Sequence, residues 1–454
     1  MKSDAPAGTA PHILLVNPWI HDFAAYDVWA KPYGLLSLAG LLRAGGARIT
    51  YIDCLDRFHP NMAPTAPSAR HGRGPYLKTS IPNPKGLEKI TRTYSRYGIP
   101  PEWLRTDLAS MDSPDLILVT SLMTYWYPGV FETIRELKTS FPRTPLILGG
   151  IYARLCADHA RTHSGADRVV TDRGESLWAL VKAHTGWSGA TLEDLNMLDA
   201  QPYPAFDLQH CLPYVPLLTA RGCPFDCAYC AARSLEPSLR RRSPESVLAE
   251  ILFWHGRHGV ADFAFYDDAL LVDARHHALP LLEGIIRSQR KLYFHTPNAL
   301  HIREISAETA DLMFRAGFHT LRLGLETTAF EGREALDAKV TEDEFRQAVG
   351  HLRTAGFCAD QVGAYLLAGL PGQTVAAVER SIRVVQAAGI TPILAHYTPI
   401  PGTRLWPAAV AASRYDLAAD PIFTNNAIFP CNREDFSWPI LSHLKKMAHT
   451  PANA

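Results

Sequence analysis

Short apolar runs alternate along the chain with longer stretches whose apolar residues recur every three or four positions. That is the pattern of strands followed by helices. ILLVNPW (13–19) reads as a buried strand, and residues 32–43 as an apolar helix stopped near Gly45 and Gly46. ARITYIDCLD (47–56), DLILVTSL (115–122), TPLILGG (144–150) and ADRVVTD (166–172) supply four further strands. Helical patterns lie at 128–140, after residue 150 and from Glu175 onward. This order predicts an α/β fold, with a parallel sheet covered by helices on both faces over residues 1–195.

Two segments break the rhythm. Residues 58–105, rich in Pro, Gly, Arg, Lys and Tyr, are expected to form an insertion. It reads either as a solvated surface loop or as a lid that recognises substrate. Residues 196–213 have little periodicity and two closely spaced prolines, the composition of a linker.

A second alternating series follows. Strands are predicted at 214–222, 262–268, 292–300, 319–327, 361–370 and 393–402. Helices are predicted at 244–258, 274–289, 306–316, 342–355 and 374–388. Ser243, Pro244 and Glu245 form a helix start, while Gly317 and Gly356 sit where helices should end. Six β/α units predict a partial (β/α)6 barrel over 214–405. The extension 406–454, with Trp406, Phe423, Phe429 and Trp438, is expected to pack over a barrel opening.

Bulk properties narrow the function classes. The 454 residues carry 45 basic and 45 acidic side chains, so no global field draws the protein to nucleic acid or an anionic membrane. No apolar run is long enough to span a bilayer, and the N-terminus lacks the charged and apolar regions of a signal peptide. A cytoplasmic protein with reduced thiols is the expectation. Of eight cysteines, Cys54, Cys156, Cys211, Cys358 and Cys431 are scattered and suit small core positions.

The other three crowd together in RGCPFDCAYCAAR (221–233), spaced C-x3-C-x2-C. Thiolates in such a group suit an iron–sulfur cluster, and three ligands leave one iron of a 4Fe–4S cluster open. Zinc would want a fourth ligand, for which His255 and His258 are candidates. Position favours the cluster, because Cys223, Cys227 and Cys230 follow the first barrel strand at its C-terminal end, where barrels place their chemistry.

This segment resembles the radical S-adenosylmethionine (SAM) superfamily, whose motif is C-x3-C-x-aromatic-C, with Tyr229 as the aromatic. The resemblance covers about residues 212–405 and implies a 4Fe–4S cluster that binds SAM and cleaves it reductively. It also implies roles for further positions. Asp267 and Asp268, in FYDDAL, are candidates for the SAM amino group, or else cap the next turn. Asn298 falls at a ribose position and Glu326 at one that contacts SAM. Lys339 follows at a spacing that could bring a cation to the SAM carboxylate, although a solvated lysine is the plainer expectation. Gly369, in GAYLLAGLPGQT, would let backbone approach the adenine. No catalytic acid or base stands out.

The N-terminal half is similar to the Rossmann-like domain of cobalamin-dependent members. TSLMTYW (120–126), LGGIYA (148–153) and RGESLWALV (173–181) match in order and offer Thr120, Ser121, Gly149, Gly150 and Gly174 as cofactor-binding candidates. The cobalt-binding D-x-H-x-x-G motif of mutases is absent, because DRFHPN spaces Asp56 and His59 wrongly. His59 is therefore expected to be an ordinary loop histidine. YTPIPGT (397–403) resembles a sixth strand shared with methylthiotransferases, but these carry cluster cysteines in their N-terminal domain, where this chain has only Cys54 and Cys156.

Together the resemblances imply a cobalamin-dependent radical SAM C-methyltransferase acting on a small molecule or peptide, with an electron donor such as flavodoxin or ferredoxin. A non-methylating cyclisation or rearrangement stays open, as does a cluster-containing binding or sensor protein.

Overall fold

A computed structural model describes residues 10–64, 66–174, 176–187, 197–431 and 436–449. The chain divides into two compact units, residues 1–212 and 213–454.

The first unit is built on five parallel strands: His12–Asn17, Arg48–Asp53, Leu116–Val119, Leu146–Leu148 and Arg168–Val169. In chain order they lie 2-1-3-4-5, so the order reverses beside the first strand. Both faces are covered, as expected. Leu14 and Val16 pack with Val130, Ile134 and Leu137 of helix Tyr127–Ser140 on one side. Ile13 and Leu15 pack with Leu35, Ala39 and Leu42 of helix Tyr33–Ala44 on the other. The period-two alternation of a single strand thus feeds two cores. A further helix runs Leu177–Thr185, and Glu175, its expected start, lies outside the described residues.

The insertion is partly ordered sheet. Lys78–Ser80 and Ser95–Tyr97 join Ile20–Asp22 in a small antiparallel sheet, with Tyr76, Leu87, Tyr94 and Tyr97 buried. The segment with linker composition is also packed. Ala205 N donates to Leu36 O at 2.9 Å, Phe206 is fully buried, and Arg43 forks onto Asp207 at 2.7 and 3.0 Å. Gly40 permits this arm to lie close, since a Cβ there would sit 2.5 Å from Tyr203 O.

The second unit is a sheet of six parallel strands in chain order: Val215–Leu217, Asp262–Phe265, Tyr293–His295, Phe318–Glu326, Val362–Ala368 and Thr391–His396. Each of the five intervening helices falls where the periodicity put it. Their ends follow local chemistry. Ser243 and Ser306 accept from backbone N–H groups three residues on, and Thr341 forms a capping box with Glu344. Gly317 and Gly356 end helices at φ +96° and +109°. Phe263, Phe265, Phe294 and Phe318 cluster on the sheet with ring centroids 5.4–5.9 Å apart. In the extension, helix Trp406–Ala412 joins a core with Leu370, Tyr397 and Cys431 that reaches Tyr229. Helix Trp438–His449 accepts a hydrogen bond at Met447 O from Gln386.

Candidate cluster and cofactor site

The loop carrying the three cysteines leaves the first barrel strand through Gly222. Its φ is +87°, and a Cβ would stand 2.5 Å from Ser238 O, so the turn requires glycine. The loop is held at its middle: Ala228 N donates to Leu336 O at 2.7 Å, and Leu405 N donates to Ala228 O at 2.8 Å. Cys223 and Cys227 are buried and Cys230 is exposed. Burial raises the Cys223 and Cys227 thiols, Cys227 to about 11, with the Lys339 charge opposing it.

Beside the loop lies a buried ionic network. Glu326 ends the fourth strand at φ +63°, after a register shift between Gly324 and Glu326. A left-handed non-glycine residue costs about 1–3 kcal/mol and persists where its surroundings fix it. Its carboxylate lies 3.6 Å from Lys339 Nζ, which also stands over the Tyr229 ring at 5.3 Å. Lys339 is 9% exposed, so the structure replaces the expected solvated lysine with a buried, paired one. Burial disfavours its charge, but the Glu326 carboxylate outweighs this and its pKa is raised. Asp337 receives the Arg333 guanidinium through Nε and Nη2, both at 2.9 Å, and the Tyr229 hydroxyl at 3.4 Å. Arg333 also donates to Leu325 O, which ties the network to the strand end.

The strand-end aspartates divide. Asp267 is buried and accepts from Thr219 N, Thr219 Oγ1 and Ala220 N at 2.6–3.2 Å. These bonds cap the turn before the cysteines, the alternative given for Asp267 beside a SAM contact. Asp268 is exposed. Asn298 is exposed and donates to Tyr266 O at 2.6 Å. Gly369 has φ +97° and its N–H bonds Gln373 Oε1 at 2.8 Å. His301 is buried, with Nε2 3.7 Å from Cys223 Sγ, and burial lowers its pKa to about 4.

In the first unit, Thr120, Ser121, Gly149 and Gly150 lie at the C-terminal ends of the third and fourth strands, and Gly174 follows the fifth. The Ser121 hydroxyl donates to Gly149 O at 2.7 Å and accepts from Ala153 N at 3.3 Å, so it locks the strand ends together. Thr120 is buried, and its N–H bonds Val16 O. Gly150, at φ +97°, would put a Cβ 2.2 Å from Ser121 O, so its glycine serves the fold itself. Gly149 and Gly174 differ, because a Cβ on either would enter open space. His59 is buried and stacked on Trp103 at 4.9 Å; Nε2 faces Asp107 at 3.2 Å and Nδ1 accepts from Asn61 N at 3.2 Å. Both ring nitrogens are engaged.

Residues 217–385 match the family model described as the radical SAM superfamily. The second unit contains a radical SAM domain. An uncharacterized methyltransferase of Pyrococcus horikoshii is 28% identical over 229 residues, 48% of this chain and 48% of that one. The match thus spans about half of that relative. Cytidylyl-2-hydroxyethylphosphonate methyltransferase of Streptomyces wedmorensis is 20% identical and aligns with 84% of this chain and 78% of its own. Among solved structures, the radical SAM methyltransferase TsrM of Kitasatospora setae, with tryptophan and a SAM analogue bound, superposes with TM-score 0.65. It is 17% identical and covers 89% of this chain and 78% of TsrM. A second TsrM structure holds cobalamin and a 4Fe–4S cluster, at TM-score 0.63, 18% identity and coverage of 89% and 75%. At these identities the likeness establishes the two-unit fold.

The radical SAM domain's donor set fits a cluster better than a single ion. A structural zinc takes four ligands, whereas this loop offers three thiolates, which suit an iron–sulfur cluster with one iron left open. In the first unit, Gly149 and Gly174 leave open space where a side chain would stand. No described helix is long and apolar enough to cross a membrane.

Sequence reasoning missed His301, Arg333 and Asp337. The i,i+4 spacing of Arg333 and Asp337 is visible in the sequence, but such pairs commonly decorate exposed helices. Nothing local marks His301.

Proposed function

We propose that the protein uses SAM for radical chemistry at a 4Fe–4S cluster held by Cys223, Cys227 and Cys230, and methylates carbon with the help of cobalamin. The observation carrying this reading is the three-thiol loop at the C-terminal end of a barrel strand, beside the buried Glu326–Lys339 pair. The cluster would supply one electron to the SAM sulfonium, and cobalamin would carry the methyl group.

The chain's own residues bind and orient. Lys339 offers a cation to the SAM carboxylate, while Glu326 and Asp268 offer acceptors to its ammonium. Tyr229 presents a ring held from one side by Lys339 and at its hydroxyl by Asp337. The Gly369 backbone, free of a side chain, and Asn298 face the nucleoside portion. Gly149 and Gly174 leave room for cobalamin at the sheet edge, with Thr120, Ser121 and Gly150 shaping that edge. The substrate is a small molecule or peptide, and the electron comes from a one-electron donor of the flavodoxin or ferredoxin type.

The test is anaerobic reconstitution with iron, sulfide, hydroxocobalamin and SAM, followed by screening of small molecules and peptides. Expected are 4Fe–4S absorbance, stoichiometric cobalamin and a product heavier by one methyl group. 5′-Deoxyadenosine with product of unchanged carbon count would replace methylation with cyclisation or rearrangement. Full cluster absorbance after Cys223, Cys227 and Cys230 are all changed to Ala would overturn the assignment.

A further inference from the structure

The cysteine loop has a polar neighbour that the motif does not contain. His301 lies after the third barrel strand, on a segment fixed by Leu300, whose N–H bonds Arg322 O at 2.7 Å and whose carbonyl accepts from Gly324 N at 3.0 Å. Its imidazole is packed against Phe225 of the cysteine loop, with ring centroids 4.2 Å apart. Nε2 faces two groups: the Asp268 carbonyl oxygen at 3.2 Å and Cys223 Sγ at 3.7 Å.

A carbonyl oxygen can only accept, so this contact places the proton on Nε2. The same N–H lies within reach of Cys223 sulfur. When that sulfur is a thiolate bound to iron it becomes the stronger acceptor, because hydrogen bonds to charged groups are stronger than those to neutral ones. Hydrogen bonds to cluster sulfurs withdraw negative charge and raise the reduction potential.

We propose that His301 donates an N–H···S hydrogen bond to Cys223 and thereby makes the bound cluster easier to reduce. This rests on the cluster assignment above. His301 is a positioning residue: it neither ligates iron nor touches the reacting atoms. In the reduction step one electron passes from the external donor to the cluster, one iron goes formally from Fe(III) to Fe(II), and the His301 proton stays on Nε2. The extra negative charge strengthens the hydrogen bond, which is the source of the preference. A strengthening of the bond by about 1.4 kcal/mol on reduction corresponds to a tenfold change in the reduction equilibrium, roughly 59 mV for one electron.

The test uses the reconstituted full-length chain, read by redox titration of the cluster's electron paramagnetic resonance signal. His301→Leu is expected to hold the same iron and sulfide as wild type but to shift the midpoint negative by about tenfold in equilibrium, roughly 59 mV. His301→Gln, which keeps an N–H donor, is expected to recover most of the shift. An unchanged midpoint in a fully loaded His301→Leu protein would overturn the proposal. Should that variant fail to assemble, pulsed resonance on reduced wild-type protein carrying 15N-histidine decides. A weak nitrogen coupling that disappears in His301→Gln supports the hydrogen bond. No coupling, or the strong coupling of a directly bound nitrogen, overturns it. If wild type itself takes up no cluster, the functional reading falls first, so the two failures are distinguishable.

Discussion

Lys339 holds its ammonium 3.6 Å from the Glu326 carboxylate while standing over the ring of Tyr229, the residue before the last cysteine. Both partners are at most one-tenth exposed. Removing one of two buried charges strands the other, which costs about 3–5 kcal/mol. Glu326→Ala is therefore expected to lower stability by that order, whereas Glu326→Gln with Lys339→Met should recover much of it. Urea unfolding of the single and double variants measures the coupling, and simple additivity would show the charges to be independent.

In SAM binding, Glu326→Gln should keep the cluster absorbance and lose affinity by about ten- to a hundredfold, the equivalent of 1–3 kcal/mol for one polar contact. Equilibrium binding to the anaerobic, cluster-loaded protein reads this directly. Affinity equal to wild type would remove Glu326 from the SAM site.

Gly149 and Gly150 should respond differently to added side chains. Gly150→Ala is expected to destabilise the first unit, because its Cβ meets Ser121 O at 2.2 Å with φ at +97°. Gly149→Val enters open space. It should leave the thermal midpoint near wild type and weaken hydroxocobalamin uptake. Normal uptake by Gly149→Val would move the cofactor away from this strand end.

His59→Ala should leave the spectrum of bound cobalamin unchanged, since both imidazole nitrogens already have partners in Asp107 and Asn61. The lost stacking on Trp103 should appear instead as a stability loss of about 1–2 kcal/mol. A spectral change on this substitution would make His59 a cobalt ligand.

Asp267 predicts a pH dependence. Burial raises its folded-state pKa from 3.8 to about 6, against the opposing hydrogen bonds of Thr219 and Ala220. The unfolded chain loses this proton first, so the group's contribution is fullest below about pH 4 and falls as pH rises to about 6. The total is on the order of 2–3 kcal/mol. Thermal midpoints of wild type and Asp267→Asn should therefore differ in slope between pH 4 and 6 and run parallel above it.

The framework was legible because period-two and period-3.6 patterns, with Ser243, Thr341, Gly317 and Gly356 as caps, act over a few neighbouring residues. The fates of single polar side chains were not. Asp267 and Asp268 look alike in FYDDAL; only the fold brings Thr219 N and Ala220 N to the first and leaves the second exposed. Lys339 reads as a surface lysine until the strand end delivers Glu326 to it. Residues 196–213 read as a linker because they lack periodicity, yet irregular backbone can pack closely when a glycine such as Gly40 makes room.

That packed arm bears on how the halves can be parted. A cut after residue 195 would take away Phe206 and leave the groove over Leu36 and Gly40 open to water, along with an unmatched Arg43. The joint with least to lose falls between Leu212 and Pro213. A gene encoding the first half alone should carry the arm with it, as the strip that seals its outer helix.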